Sequence, residues 1–187
     1  DNVYGAHLAM RHLLKLGRRR ILLLCGREGH YFTEDLKRGY AEALAAGGVA
    51  ACPELTAYAD FHVQGGYRAV RQVLAAGAKF DAIFSNDEMA CGAMKALAEA
   101  GVRVPADVSV VGFDGLPMGQ AVSPSLTTVE VDRAELGRLA VERFLAFADG
   151  PLAEPPCEKI SIFPRLVVRS SCGAAGPDAP ADPASPA

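Results

Sequence analysis

Two apolar rhythms alternate along the chain. Between residues 5 and 16, Ala6, Ala9, Met10, Leu13 and Leu16 share one helical face while His7, Arg11, His12 and Lys15 occupy the other. That spacing predicts an amphipathic helix, stopped by Gly17. Ile21–Leu24 is an apolar run too short for a helix and predicts a buried strand. A loop over 26–33 leads to a helix over 34–46 that ends at Gly47-Gly48. The pattern then repeats: strand 55–58, loop 59–62, helix 63–76 closed by Gly77; strand 81–85, then a helix capped by Asn86 with the stripe Met89, Ala93, Leu97 and Ala100. Val108–Val111, rich in β-branched residues, is a fourth strand. Leu126–Val129 is a fifth, followed by a long helix over 133–148 with the stripe Leu136, Leu139, Ala140, Phe144 and Phe147. Residues 150–156 read as a turn-rich link, and 159–163 and 166–169 as edge strands interrupted by Pro164. From Gly173 to Ala187 the chain is almost wholly Ala, Pro, Gly, Asp and Ser, a composition that predicts disorder.

Strands alternating with helices of this length form βαβ units. The predicted fold class is α/β, a doubly wound parallel sheet with helices on both faces.

Composition narrows the function. Half of the 187 residues are hydrophobic and 22% are charged, which suits a globular domain with a sizeable core. No apolar run reaches the ~18 residues of a membrane span. A net charge of −3 argues against a chain whose main task is coating nucleic acid. Five cysteines without paired spacing make no disulfide framework; Cys25 and Cys91 sit in apolar patterns and read as buried thiols. The histidines lack metal-ligand spacing, no phosphate-binding glycine loop follows a strand, and Arg18-Arg19-Arg20 reads as a solvated turn. No nucleophile–base arrangement has supporting context, so no catalytic centre and no cofactor are expected.

In an open parallel sheet, ligands gather at the carboxyl ends of the strands. Asp114, between Gly112 and Gly115 where the strand 108–111 ends, is the first candidate; a turn Asp accepting backbone N–H bonds is the competing reading. Asn86 and Asp87 follow another strand, where one residue caps the helix and the other can face a cleft. Phe61 is an aromatic in a polar loop at a third strand end.

Three segments carry a resemblance: DNVYGAHLAMRHLLKLGRRRI, FDAIFSNDEMACGAMKALAEAGVRVPADVSVVGFD and SPSLTTVEVD. In this order and spacing the chain resembles the effector-binding half of LacI/GalR-type bacterial transcriptional regulators, a periplasmic-binding-protein-like fold of type I. The resemblance implies a partial effector-binding domain over 1–172. Residues 20–122 would form most of its C-terminal subdomain, and 1–19 and 125–150 would be remnants of the N-terminal one. It implies a small-molecule effector, a sugar or related solute, held by Asp114, by Asn86 or Asp87, and by Phe61 stacking on its ring. By the same mapping His30 and Phe32 lie in the pocket, and Tyr4 lies near it as a lid or as packing. It also implies a cytoplasmic homodimer that reaches operator DNA only through a helix-turn-helix absent from this chain. A transporter's periplasmic solute-binding protein is the alternative, and SPSLTT favours the regulator. The sequence departs from the family at two positions. Leu36 stands where the family places an Arg, which implies either a different effector or a degenerate site. Gly115 stands where it often places a second acid, which implies a less polar pocket. The first and last helices are both expected to lack a packing surface.

Overall fold

The computed structural model describes residues 1–148 and 159–174. Helix α1 (Asn2–Lys15) precedes strand β1 (Ile21–Cys25), α2 (Tyr31–Ala46), β2 (Thr56–Tyr58), α3 (Val63–Ala75), β3 (Ala82–Phe84), α4 (Asp87–Glu99) and β4 (Ser109–Asp114). A short helix α5 (Met118–Ala121), β5 (Thr127–Glu130), α6 (Arg133–Ala148) and β6 (Arg165–Val167) complete the order. The strands form one sheet in the order β2-β1-β3-β4-β5-β6. β1 to β5 are parallel and β6 adds antiparallel to β5, so the sheet is the mixed, mostly parallel one that the alternation predicts.

The central strands β1, β3 and β4 are largely apolar and buried because both faces are covered. Ile21, Leu23, Cys25, Phe84, Val111 and Phe113 point into a core shared with α1 and α2. Leu22, Leu24, Ile83 and Val110 point into the opposite core, shared with α3 and α4. Burial pushes the Cys25 thiol up to about 12 and the Cys91 thiol to about 11, so both stay protonated. Sequence order reverses between β1 and β3, and the carboxyl ends on either side of that switch open a crevice.

Several elements differ from expectation. α1 does not lack a surface: Ala6, Ala9, Met10 and Leu13 are fully buried on this same sheet, against α2, β4 and β5. Residues 1–19 therefore pack with the sheet that follows them rather than on a separate one. Met10 and Leu13 alone contribute roughly 1.5–3 kcal/mol each. α2 begins at Tyr31, inside the expected loop, because the His30 imidazole caps it and accepts from the Phe32 N–H at 3.3 Å. Residues 159–164 form no strand. Gly173 closes a 3₁₀ turn over Ser170–Cys172, and Ala174 packs on the core, so order extends past the expected start of the tail. Within that turn the Ser171 hydroxyl donates to Val110 O and accepts from the Thr127 N–H, which ties the segment to two strands. The link over 150–156 lies outside the described residues, as does the tail over 175–187.

The last helix does lack a surface. α6 buries none of its residues, and Leu136, Val141, Phe144, Leu145 and Phe147 are 39–67% exposed. A contiguous apolar face of this kind marks an interaction surface. The chain should bind an environment-sensitive hydrophobic dye in its folded state, and Phe144→Glu with Leu145→Glu should remove most of that signal while circular dichroism stays unchanged. Equal dye binding by the variant would place the exposed apolar surface elsewhere.

Candidate functional site

Residues from four strand ends and two helix starts converge on one cleft of about 460 Å³. His30 and Phe32 arrive after β1, Phe61 after β2, Asn86 after β3, and Asp114 ends β4; Arg133 and Leu136 come from the first turn of α6. Five of the seven residues predicted for the site are brought together here.

The aromatic wall is packed ring on ring. His30 meets Phe61 edge-on with centroids 4.9 Å apart, and Phe32 meets Phe113 edge-on at 5.2 Å. The Phe61 ring lies over Gly26, where a Cβ would overlap it, so glycine at 26 is what lets the ring into the cleft. Asn86 accepts from the Met89 N–H through Oδ1 and donates through Nδ2 to the Phe61 carbonyl at 3.0 Å. One amide thus caps α4 and holds the Phe61 loop, with one amide hydrogen to spare.

Phe61 and Asp114 are the two non-glycine residues with positive φ among those described, at 72° and 113°. Such conformations cost about 1–3 kcal/mol each and persist where the surroundings impose them. Here the Arg133 guanidinium donates to Asp114 O at 2.5 Å and to Gly115 O at 3.2 Å, clamping the end of β4. Gly115 itself has φ 70° and lies against Glu130, so a side chain at that position meets both strain and contact.

No described residue donates a hydrogen bond to the Asp114 carboxylate. Burial, then the nearby Asp87 charge, push its pKa up to about 7, while Arg133 opposes the rise. The unfolded group titrates near 3.8, so the folded state holds the extra proton between about 4 and about 7. Stability from this group is present below that window and is lost as pH rises through 7. Asp114→Asn is therefore expected to stabilise the chain increasingly from pH 4 to pH 7, with no further gain above about 8, as read by urea titrations across pH. A gain independent of pH would show that the carboxylate is solvated.

Asp87 and Tyr4 do not belong to the cleft. Asp87 is fully buried, accepting from Thr128 Oγ1 at 2.5 Å and from the Leu116 N–H at 2.6 Å. Burial raises its pKa, and the hydrogen bonds from Thr128 and Leu116 oppose the rise. It ties the start of α4 to the β4 and β5 ends, and Gly112 leaves it room. Tyr4 points away along α1 and packs edge-on against Phe163 at 5.4 Å. Leu36 is buried among the α1–α2 core residues, so that position contributes packing and no charge.

Nothing in the sequence pattern marks Arg133 apart from an ordinary first-turn residue. Its signal is positional: it follows β5, and the carboxyl-end rule that selects Asp114 also selects it. Asn2, on the rim, donates to Asp35 at 3.0 Å. The cleft therefore offers an unpaired carboxylate, a spare amide hydrogen and several aromatic faces, the equipment for binding a solute with hydroxyl or amine donors and an apolar side. Among the described residues no three His, Cys, Asp or Glu side chains group as a metal site, and no helix is long and apolar enough to cross a membrane.

Residues 10–172 match the family model of the periplasmic binding protein-like domain. The transcriptional regulator GalR of Escherichia coli is 39% identical over 173 residues, covering 91% of this chain and 50% of GalR. The chain thus spans about half the length of the curated relatives it matches. A sugar-binding LacI-family regulator from Escherichia coli, solved with phosphate, superposes with a TM-score of 0.81 at 34% identity, over 91% of this chain and 61% of that one. A LacI-family regulator from Arthrobacter sp. FB24, solved with lactose, gives 0.79 at 29%, over 91% and 63%. The chain belongs to the periplasmic binding protein-like domain family, and the relatives it matches are LacI/GalR-type transcriptional regulators.

Proposed function

We propose that this chain is the effector-sensing portion of a LacI-type regulator and takes a sugar or related small molecule in the strand-end cleft. The carrying observation is the convergence of Asp114, Asn86 and Phe61 from three strand ends, with the Asp114 carboxylate left without a donor. A ligand hydroxyl supplies that donor, and the Phe61, His30 and Phe32 rings take the apolar side of a pyranose or comparable ring. The sugar-binding and lactose-bound relatives support this class of ligand. A transporter's binding protein is not favoured, since the relatives are regulators.

In the whole protein the opposite wall comes from a second lobe, which covers the apolar face of α6. Effector binding then favours one relative placement of the lobes by its differential affinity. In a cytoplasmic homodimer, that placement sets how paired DNA-binding heads meet an operator. The site binds and releases without turnover.

The test is a thermal-shift screen of the intact regulator against sugars, sugar phosphates, nucleosides and amino acids, since a ligand of the native state raises its apparent stability. A carbohydrate-class hit that also changes operator binding is expected. A hit consumed during incubation, or one that binds equally after Asp114→Ala, would overturn the reading.

A further inference from the structure

Away from the cleft, α1 and α2 run side by side and leave a groove of about 660 Å³ between them. Its floor is apolar and low: Leu14 from α1, and Ala43, Ala46 and Gly47 from α2. Gly47 approaches Leu14 so closely that a Cβ there would meet the leucine side chain at 2.9 Å. Its rim is cationic. His7, Arg11 and Lys15 are spaced by four residues and form one row along α1, and Arg19 closes the lower end. Arg19 is held there by donating to Leu14 O at 2.7 Å and Arg18 O at 3.0 Å. His7 is matched by Glu42 at 2.8 Å, whereas Arg11 and Lys15 meet no acid among the described residues.

The surrounding sequence exaggerates this polarity. The chain carries a net charge of −3, yet no acid stands between Asp1 and Glu28, a stretch that holds Arg11, Lys15, Arg18, Arg19, Arg20 and Arg27. Of these, Arg11, Lys15 and Arg19 line the groove, a local positive charge on a protein of net negative charge that attracts a partner of opposite sign.

We propose that the α1–α2 groove is a docking site for an acidic amphipathic helix of another protein. The floor takes the apolar stripe of such a helix, and the Arg11–Lys15 row takes its acidic flank. From Tyr4 to Lys15 the groove spans about 16 Å, the length of three helical turns. A nucleic acid duplex would use the cations but leave the apolar floor unfilled. The site is independent of the effector cleft, which lies at the carboxyl ends of the strands.

The probe is a fluorescein-labelled three-turn peptide with leucines at helical spacing and glutamates elsewhere, compared with the same peptide carrying glutamines. Fluorescence anisotropy with the full chain should show saturable binding. It should weaken about tenfold for the glutamine peptide, weaken with added salt, and disappear in the Arg11→Glu/Lys15→Glu variant. Both residues are exposed, and circular dichroism of the variant should match the parent. Binding indifferent to peptide charge or to the double substitution would overturn the proposal. So would tighter binding of a short DNA duplex at the same residues, or self-association of the chain that the double substitution abolishes.

Discussion

Asp87→Ala is expected to destabilise the chain by about 2–5 kcal/mol, a large share of the ~5–15 kcal/mol typical of a domain. The carboxylate is fully buried, and its removal leaves the Leu116 N–H and the Thr128 hydroxyl without an acceptor. Each orphaned donor costs about 1–3 kcal/mol, and the vacated volume adds a cavity term. Against this, the substitution relieves the desolvation that raises the Asp87 pKa, which is why the lower end of the range is retained. Asp87→Asn keeps one acceptor oxygen and should lose about half as much. Urea unfolding at neutral pH reads the difference. A variant of parental stability with lost effector affinity would instead restore Asp87 to the cleft, against its burial.

Asp114→Ala should leave the fold intact and weaken the effector about 100-fold, close to 3 kcal/mol. The residue lines the cleft with no internal donor to orphan, so its removal leaves no group of the chain unpaired while the ligand loses its acceptor. Phe61→Ala should weaken the effector about tenfold through the lost ring face. Alanine retains the strained φ of 72°, so it isolates the ring, whereas Phe61→Gly also releases the backbone strain and should be the more stable of the two. Isothermal titration with the screened effector separates these effects from stability. Equal affinity in all three proteins would move the ligand out of this cleft.

Much of this arrangement is legible in the sequence. β1, β3 and β4 are short, apolar and bounded by turn residues, so their existence and their burial on both faces follow from the pattern. Asp114 and Phe61 follow from the rule that ligands collect at strand carboxyl ends. What the pattern does not carry is which surface an apolar stripe meets. α1 and α6 present comparable stripes, yet α1 is sealed on this sheet and α6 buries nothing. Packing alone separates them. Asn86 and Asp87 are adjacent on the first turn of α4, and composition is silent about which faces the cleft. Gly112 decides it, because a residue without Cβ on β4 makes room for the Asp87 carboxylate behind the wall. His30 falls in the predicted loop because imidazole is not among the usual N-caps, and its cap moves the start of α2 three residues forward.

The central claim, that the carboxyl ends of β1 to β4 form one half of an effector cleft, is tested most directly by amide chemical shifts. Titrating the isotopically labelled chain with the effector found by screening should perturb His30, Phe61, Asn86 and Asp114 together, leave the α3–α4 helices unmoved, and have no effect in the Asp114→Ala protein. Saturable perturbations confined to any other surface, with these four amides unshifted, would contradict the account.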